Sequence, residues 1–283
     1  MKKICLLLMI GALTIPGIVK AQSKKEALTV KPDSAIILSD KTSELYLRLA
    51  QISLAEDYKT VIAYADSALA RNKSFQAYRL KGIGQFNLGL YAETIISMTA
   101  GIDANQIDNI YVFELNYYRG LAYHKSDSIL YAKQIAEDMT EALRFIPLDT
   151  MAYYYRGMAN YNLSFSANYK KDDKLKECIN DLSQFLKSEP NFTAYQIRGL
   201  ANFLLGGSDE ASDEARAIYY IEATKDLTEC LNLQPGDEDC LYYRGLSYYI
   251  MGDFINAIKD AQALKSKKNS NGVKPKKKFF GKK

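Results

Sequence analysis

Histidine and tryptophan are almost missing from these 283 residues: His124 stands alone and there is no tryptophan at all. With a single imidazole, His-rich zinc sites are excluded, and a histidine general base would have to be His124 itself. No Ser, Cys or Asp is held beside His124 by spacing, so no constellation supports an enzyme. The segment Gly82-Ile83-Gly84 does not continue as a dinucleotide fingerprint, and no G-x-x-x-x-G-K-[ST] occurs, so no phosphate loop is present. Neither a cofactor nor a metal is called for. Past the first twenty residues no run approaches ~18 consecutive apolar residues, the length needed to span a bilayer. What the chain does have is 48% apolar residues and 22 tyrosines among 12% aromatics, enough to build one large or two ordinary cores and too much for a disordered or collagen-like chain.

The first 21 residues read as an address. Lys2 and Lys3 precede an apolar stretch from Ile4 to Ile18, and Val19-Lys20-Ala21 ends it in the small-x-small pattern of a cleavage site. This predicts an export signal removed before Gln22, leaving a soluble periplasmic or secreted protein. A lipid anchor would need a Cys right after the apolar core, where none stands.

The middle of the chain repeats itself. Tyr117-Tyr118-Arg119-Gly120-Leu121-Ala122 returns as Tyr154 to Ala159, as Gln196 to Ala201 and as Tyr242 to Ser247, with a looser copy at Arg79 to Gly84 and a sixth that has Leu49 in the glycine position. A second motif follows each of the four clear copies: Asp138, Asp181, Asp226 and Asp260 lie three residues after Ile135, Cys178, Ala223 and Ala257. Apolar residues at i, i+3, i+4 and i+7 make both segments amphipathic helices. Glycine inside a helix costs about 1 kcal/mol relative to alanine, so its recurrence predicts a close approach of two helices.

This pattern resembles the tetratricopeptide repeat, with Gly and Tyr in the first helix, Ala and an aromatic in the second, and Pro at the end; the last copy carries Gly245, Tyr248, Gly252, Phe254, Ala257 and Ala261. The resemblance covers 42–264 and implies an all-α, right-handed solenoid of about six helix pairs, between an N-terminal linker (22–41) and a disordered basic tail (265–283). The sequence departs from the family between the two helices of the central repeats, where 3, 9 and 12 extra residues fall around Ser126 to Leu130, Ser164 to Lys174 and Gly206 to Glu214. Insertions at equivalent points map to one edge of a solenoid, predicting an enlarged rim.

The resemblance also implies a partner. The concave groove of the family is lined by first helices, which places Tyr46, Arg79, Tyr117, Tyr154, Gln196 and Tyr242 three residues before the glycine. Ser53, Phe86, His124, Tyr161, Phe203 and Tyr249 stand four after it, with Asn87, Lys125 and Asn162 alongside. Tyrosine suits a protein or peptide surface, and the alternatives are a row stacking on glycan rings or simple packing between repeats. Because each Arg before the glycine co-occurs with an Asp, Arg119, Arg156, Arg198 and Arg244 are predicted to pair with Asp138, Asp181, Asp226 and Asp260, within a repeat or offset by one. Cys178 and Cys230 sit where the family has Ala, and Cys230 and Cys240 straddle a turn across which a disulfide would be possible geometry.

Removing the three leader lysines and the nine of the tail turns the formal charge of +4 into −8 for the repeats. The tail, with Lys274, Lys276, Lys277, Lys278, Phe279, Phe280, Lys282 and Lys283, is a solubilising end or a tether to an anionic envelope surface. Nucleic acid is not an expected partner of an exported protein.

Overall fold

The computed structural model describes residues 32–55, 57–104 and 110–270, with side chains from 41 to 266. The leader and the tail residues from Lys274 to Lys283 lie outside the described residues. The described residues from Ser39 form one compact unit. Among the described residues, twelve helices follow in six pairs: α1 (Pro32–Ser53) and α2 (Tyr58–Leu69), α3 (Phe75–Asn87) and α4 (Tyr91–Ala104), α5 (Tyr111–Asp127) and α6 (Ala132–Phe145). The second half continues with α7 (Thr150–Leu163) and α8 (Lys171–Phe185), α9 (Phe192–Gly206) and α10 (Asp213–Leu233), then α11 (Glu238–Ile250) and α12 (Phe254–Ser270). From α2 onward each helix packs on the next in sequence, the order of a solenoid.

The core runs through each repeat and across the junctions between repeats. Leu175, Cys178, Leu182 and Phe185 of α8 form one cluster with Ala194, Ala201 and Leu205 of α9, and α6 meets Ala152 and Ala159 of α7 in the same way. Two small residues, five before and two after the motif glycine, make that contact tight: Ala77 and Gly84, Ala152 and Ala159, Ala194 and Ala201, Cys240 and Ser247, all buried. The same spot starts the helix. Ser74, Asp149, Asn191 and Asp237 accept hydrogen bonds from the amides of Ala77, Ala152, Ala194 and Cys240 at 2.6–3.3 Å, caps worth about 1 kcal/mol each.

Close approach explains the motif glycines. A Cβ on Gly120, Gly157, Gly199 or Gly245 would stand 3.1, 3.2, 3.2 and 3.2 Å from the Cβ of Asp138, Asp181, Asp226 and Asp260. A second pair answers a different need: Gly89 and Gly252, seven residues after Gly82 and Gly245, turn the chain between helices with φ of 78° and 81°, a region open to glycine at no steric cost. Of the three lengthened repeats, two have Asp127 and Ser164 there, and the third has Gly206, which ends α9 without a positive φ.

Three boundaries differ from the sequence reading. Helix α1 begins at Pro32, inside the expected linker, because proline fits a first helical turn. Helix α12 continues to Ser270, into the expected irregular tail, because lysine is a good helix former and the first breaker is Gly272. The insertions are also partly helical. Helices α8 and α10 start seven and ten residues before Cys178 and Ala223, against three in the other second helices, with Asp172, Asp173, Asp213 and Glu214 favouring the added first turns.

Candidate interaction surface

First helices touch the next first helix, from α3 to α5, α7, α9 and α11, whereas among the described residues no such contact joins consecutive second helices. The first helices therefore form the tighter, inner layer, and the groove positions fall on it. Most of the aromatic side chains there are used as joints. Phe86 meets Tyr118 edge-on at 5.4 Å, His124 meets Tyr155 at 4.9 Å, and Phe203 meets Tyr243 at 5.1 Å. In each case the residue four after one glycine rests on the residue two before the next. Those partners, Tyr118, Tyr155 and Tyr243, belong to the Tyr-Tyr-Arg-Gly motif and were passed over as contact residues. Tyr161 rests on Phe165 at 5.2 Å.

The set three before the glycine behaves similarly. Tyr46 packs against Tyr64 and under Arg71, Tyr117 stacks on Phe113 at 5.1 Å, and Tyr154 lies 4.9 Å from Phe185. Burial pushes the phenols of Tyr117 and Tyr154 up, and that of Tyr161 to about 12. Burial, then the charge of Lys125, holds His124 below its ordinary value. Arg79 departs furthest from the expectation of a free groove residue. It is 7% exposed, ion-paired to Glu114 of α5, bonded to Gln51 of α1 at 3.0 Å, and stacked over Tyr111. It ties three first helices together and is not available as a contact point. Ser53 and Gln196 are half-buried; Asn87, Lys125, Tyr242 and Tyr249 are exposed.

The arginine ladder resolves the question of offset by using both answers. Arg156 donates from Nε and Nη2 to the two Asp181 oxygens at 2.9 and 2.8 Å, and from Nη1 to Thr140 Oγ1 of the preceding repeat at 3.3 Å. Arg198 does the same with Asp226 and Ser183, Arg244 with Asp260 and Thr228, and Arg119 with Asp138 and Thr99. Thr140, Ser183 and Thr228 stand two residues after the Asp of their own repeat, a D-x-[ST] signal visible in the sequence and overlooked there. Their hydroxyls donate in turn to Ala136, Ile179 and Thr224 carbonyls. Burial drives the Asp138 carboxyl up to about 6 against the pull of the Arg119 bonds, and moves Asp181 and Asp226 in the same direction. These arginines are consumed by structure.

The rim is continuous. Asn162 Nδ2 donates to the Ser128 carbonyl at 2.9 Å, tying the first insertion to the end of α7 where the second begins, so Asn162 serves the edge rather than the groove. Ser208 Oγ bonds Asp172 at 2.5 Å and Lys170 pairs with Glu210 at 3.1 Å, linking the second and third insertions. Arg216 folds back on the Ala211 and Ser208 carbonyls. On this braced edge stand Ile129, Leu130, Phe165 and Ile218, exposed by 75, 68, 60 and 58%. A convex groove of about 530 Å³ between α6 and α8, floored by Arg156 and Asn160, carries mixed charges.

The three described cysteines are free thiols, all buried. Cys230 and Cys240 share one apolar cluster, and the hydrogen bond to Cys230, then burial, pushes the Cys240 thiol up. No cluster of His, Cys, Asp and Glu among the described residues is arranged to hold a metal ion, and no described helix is long and apolar enough to cross a membrane.

Comparison with solved structures places this arrangement. MamA (MSR-1) superposes with a TM-score of 0.53 at 20% identity, over 70% of this chain and 98% of its own. MamA (AMB-1) gives 0.54 at 19% identity over 71% and 93%. YrrB, described as a TPR protein with an unusual peptide-binding site, gives 0.54 at 17% over 74% and 95%. The chain has the tetratricopeptide-repeat fold. No family model matches the sequence, and no curated protein does, in keeping with insertions that break the 34-residue period in three of six repeats.

Proposed function

We propose that this protein is an exported, non-catalytic scaffold that holds a protein or peptide partner along the insertion rim and the adjoining exposed part of the inner layer. The observation that carries the reading is the rim itself. Three insertions at equivalent points are braced to one another by Asn162–Ser128, Ser208–Asp172 and Lys170–Glu210, yet hold Ile129, Leu130 and Phe165 in solvent. Large apolar side chains on a rigid, polar-bordered edge are the usual mark of a binding surface. The peptide-binding site in the description of YrrB supports the class of partner. Export rests on the Lys2-Lys3 start, the apolar run and Val19-Lys20-Ala21, and an envelope tether rests on the basic tail. Glycan stacking has less support, since Phe86, His124 and Phe203 are inter-repeat joints, Tyr46, Tyr117, Tyr154 and Tyr161 pack within their own repeats, and only Tyr242 and Tyr249 of the row are exposed.

Crosslinking with mass spectrometry in the native envelope tests this, with wild type, Leu130→Asp, Phe165→Asp and a chain lacking 265–283. Loss of one crosslinked protein in both rim variants, with retention in an Ile96→Asp control on exposed α4, supports the rim. Equal capture by all variants would remove it, and loss only in the truncated chain would move binding to the tail.

A further inference from the structure

The solenoid ends in an apolar groove of about 550 Å³ between α11 and α12. Gly245, Ala257 and Ala261 make its floor, Tyr242, Leu246 and Tyr249 one wall, and Phe254, Ile258 and Leu264 the other; no charged residue lines it. Four of these large side chains are half or more exposed: Tyr242 and Tyr249 on α11, Phe254 and Ile258 on α12. At the end of the fifth repeat the equivalent surface is not open, because Cys240 and Leu241 of α11 close over Leu227, Cys230 and Leu231 of α10.

We infer that this groove is the interface of a two-fold symmetric homodimer, in which α12 of each copy lies in the groove of the other. The seam is self-complementary. Phe254, Ala257, Ile258, Ala261 and Leu264 recur at the spacing of a helix–helix contact. Antiparallel pairing about the middle of that seam sets Phe254 of one copy against Leu264 of the other and Ala257 against Ala261. It also brings Asp253 opposite Lys265. A two-fold axis closes the assembly at two copies. The area suffices: four half-exposed side chains of this size bring roughly 400 Å², and with the floor each copy buries about 500–600 Å². The pair then buries about 1,000–1,200 Å², the lower edge of a stable interface.

Two other occupants fit less well. The N-terminal end of a second copy would present α1, but α1 carries Glu44 and Gln51 at the two positions where α7, α9 and α11 bury small residues, and Gln51 already holds Arg79. The chain's own residues 271–283 are rich in lysine and interrupted by Pro275, while the groove offers no acidic side chain.

Sedimentation velocity of the mature full-length chain from 1 to 100 µM tests the inference, alongside Ile258→Lys, Ile96→Lys and a chain ending at Ser270. The wild type, Ile96→Lys and truncated chains are expected to shift from monomer to dimer across the series. Ile258→Lys should need at least tenfold more protein to dimerise, with unchanged helix content and, where both chains are monomeric, an unchanged melting temperature, because the side chain is exposed in the single chain. It would be overturned by a wild type monomeric throughout, by a dimer indifferent to Ile258→Lys, or by dimerisation only after truncation, which would assign the groove to the tail. Loss of the dimer in Ile96→Lys would equally place the interface elsewhere. Loss of dimer in Ile258→Lys with rim binding intact separates this interface from the proposed partner surface.

Discussion

At the scale of residues, the Arg–Asp–hydroxyl link is the most demanding arrangement in the molecule. Asp181 is 2% exposed and Arg156 donates to both its oxygens, so Asp181→Asn leaves a partly buried guanidinium without its counter-charge. A loss of about 3 kcal/mol in urea denaturation is expected, against about 1 kcal/mol for Thr140→Val, which removes a single neutral acceptor. Equal losses would mean that the hydroxyl, not the carboxylate, carries the link. His124 offers a second test, because its imidazole is the only one in the chain. Burial on Tyr155 depresses its pKa, so above 6.5 the neutral ring is present in both states. As pH falls below 6.5 the unfolded chain takes the proton first, and stability drops until the folded-state pKa is passed. A proton NMR titration should show one imidazole titrating below 6.5, moving up toward that value in Tyr155→Ala; a folded-state pKa above 6.5 would contradict the packing.

At the scale of elements, the helices were legible because their apolar residues recur at helical spacing, and because a glycine marks five of the first helices and an aspartate four of the second. The helix-extending half of the insertions was not, since charged segments such as Lys171 to Lys174 show no apolar period of their own and gain their structure by continuing a packed helix. The glycines predict a graded response. A Cβ at Gly157 meets Leu182 Cγ and Cδ2 at 3.0 Å as well as Asp181 Cβ, whereas at Gly245 the only close atom is Asp260 Cβ at 3.2 Å. Gly157→Ala should therefore lose about 1–2 kcal/mol from overpacking, while Gly245→Ala should fall near neutral as helix propensity offsets the strain. Thermal melting of the two variants reads the difference, and the reverse order would deny that inner repeats are the tighter ones.

At the scale of the whole molecule, each repeat is stabilised by its neighbours, so protection should grade along the chain. At concentrations where the chain is monomeric, amide hydrogen exchange is expected to be fastest in α12, which packs on α11 alone among the described helices, and slowest in α7 to α9; uniform protection would mean the solenoid unfolds as one unit. Repeat number and insertion edge could be read from spacing, because both are one-dimensional. Which side chains face a partner could not. The choice between groove and joint depends on how closely first helices approach, and Phe86, His124 and Phe203 look alike in sequence whichever they do.

The ladder also bears on how such a chain can change length. Each arginine carries its own carboxylate and asks its predecessor only for a hydroxyl, and Thr140, Ser183 and Thr228 are interchangeable in that role. Excising the α7–α8 repeat in phase would bring Arg198 onto Thr140 and leave no unmatched group in the ladder. Gain or loss of a whole unit is thus silent in the ladder itself, whose wiring stays the same, and what such a change must remake are the aromatic joint and the rim bonds, His124–Tyr155, Asn162–Ser128 and Ser208–Asp172.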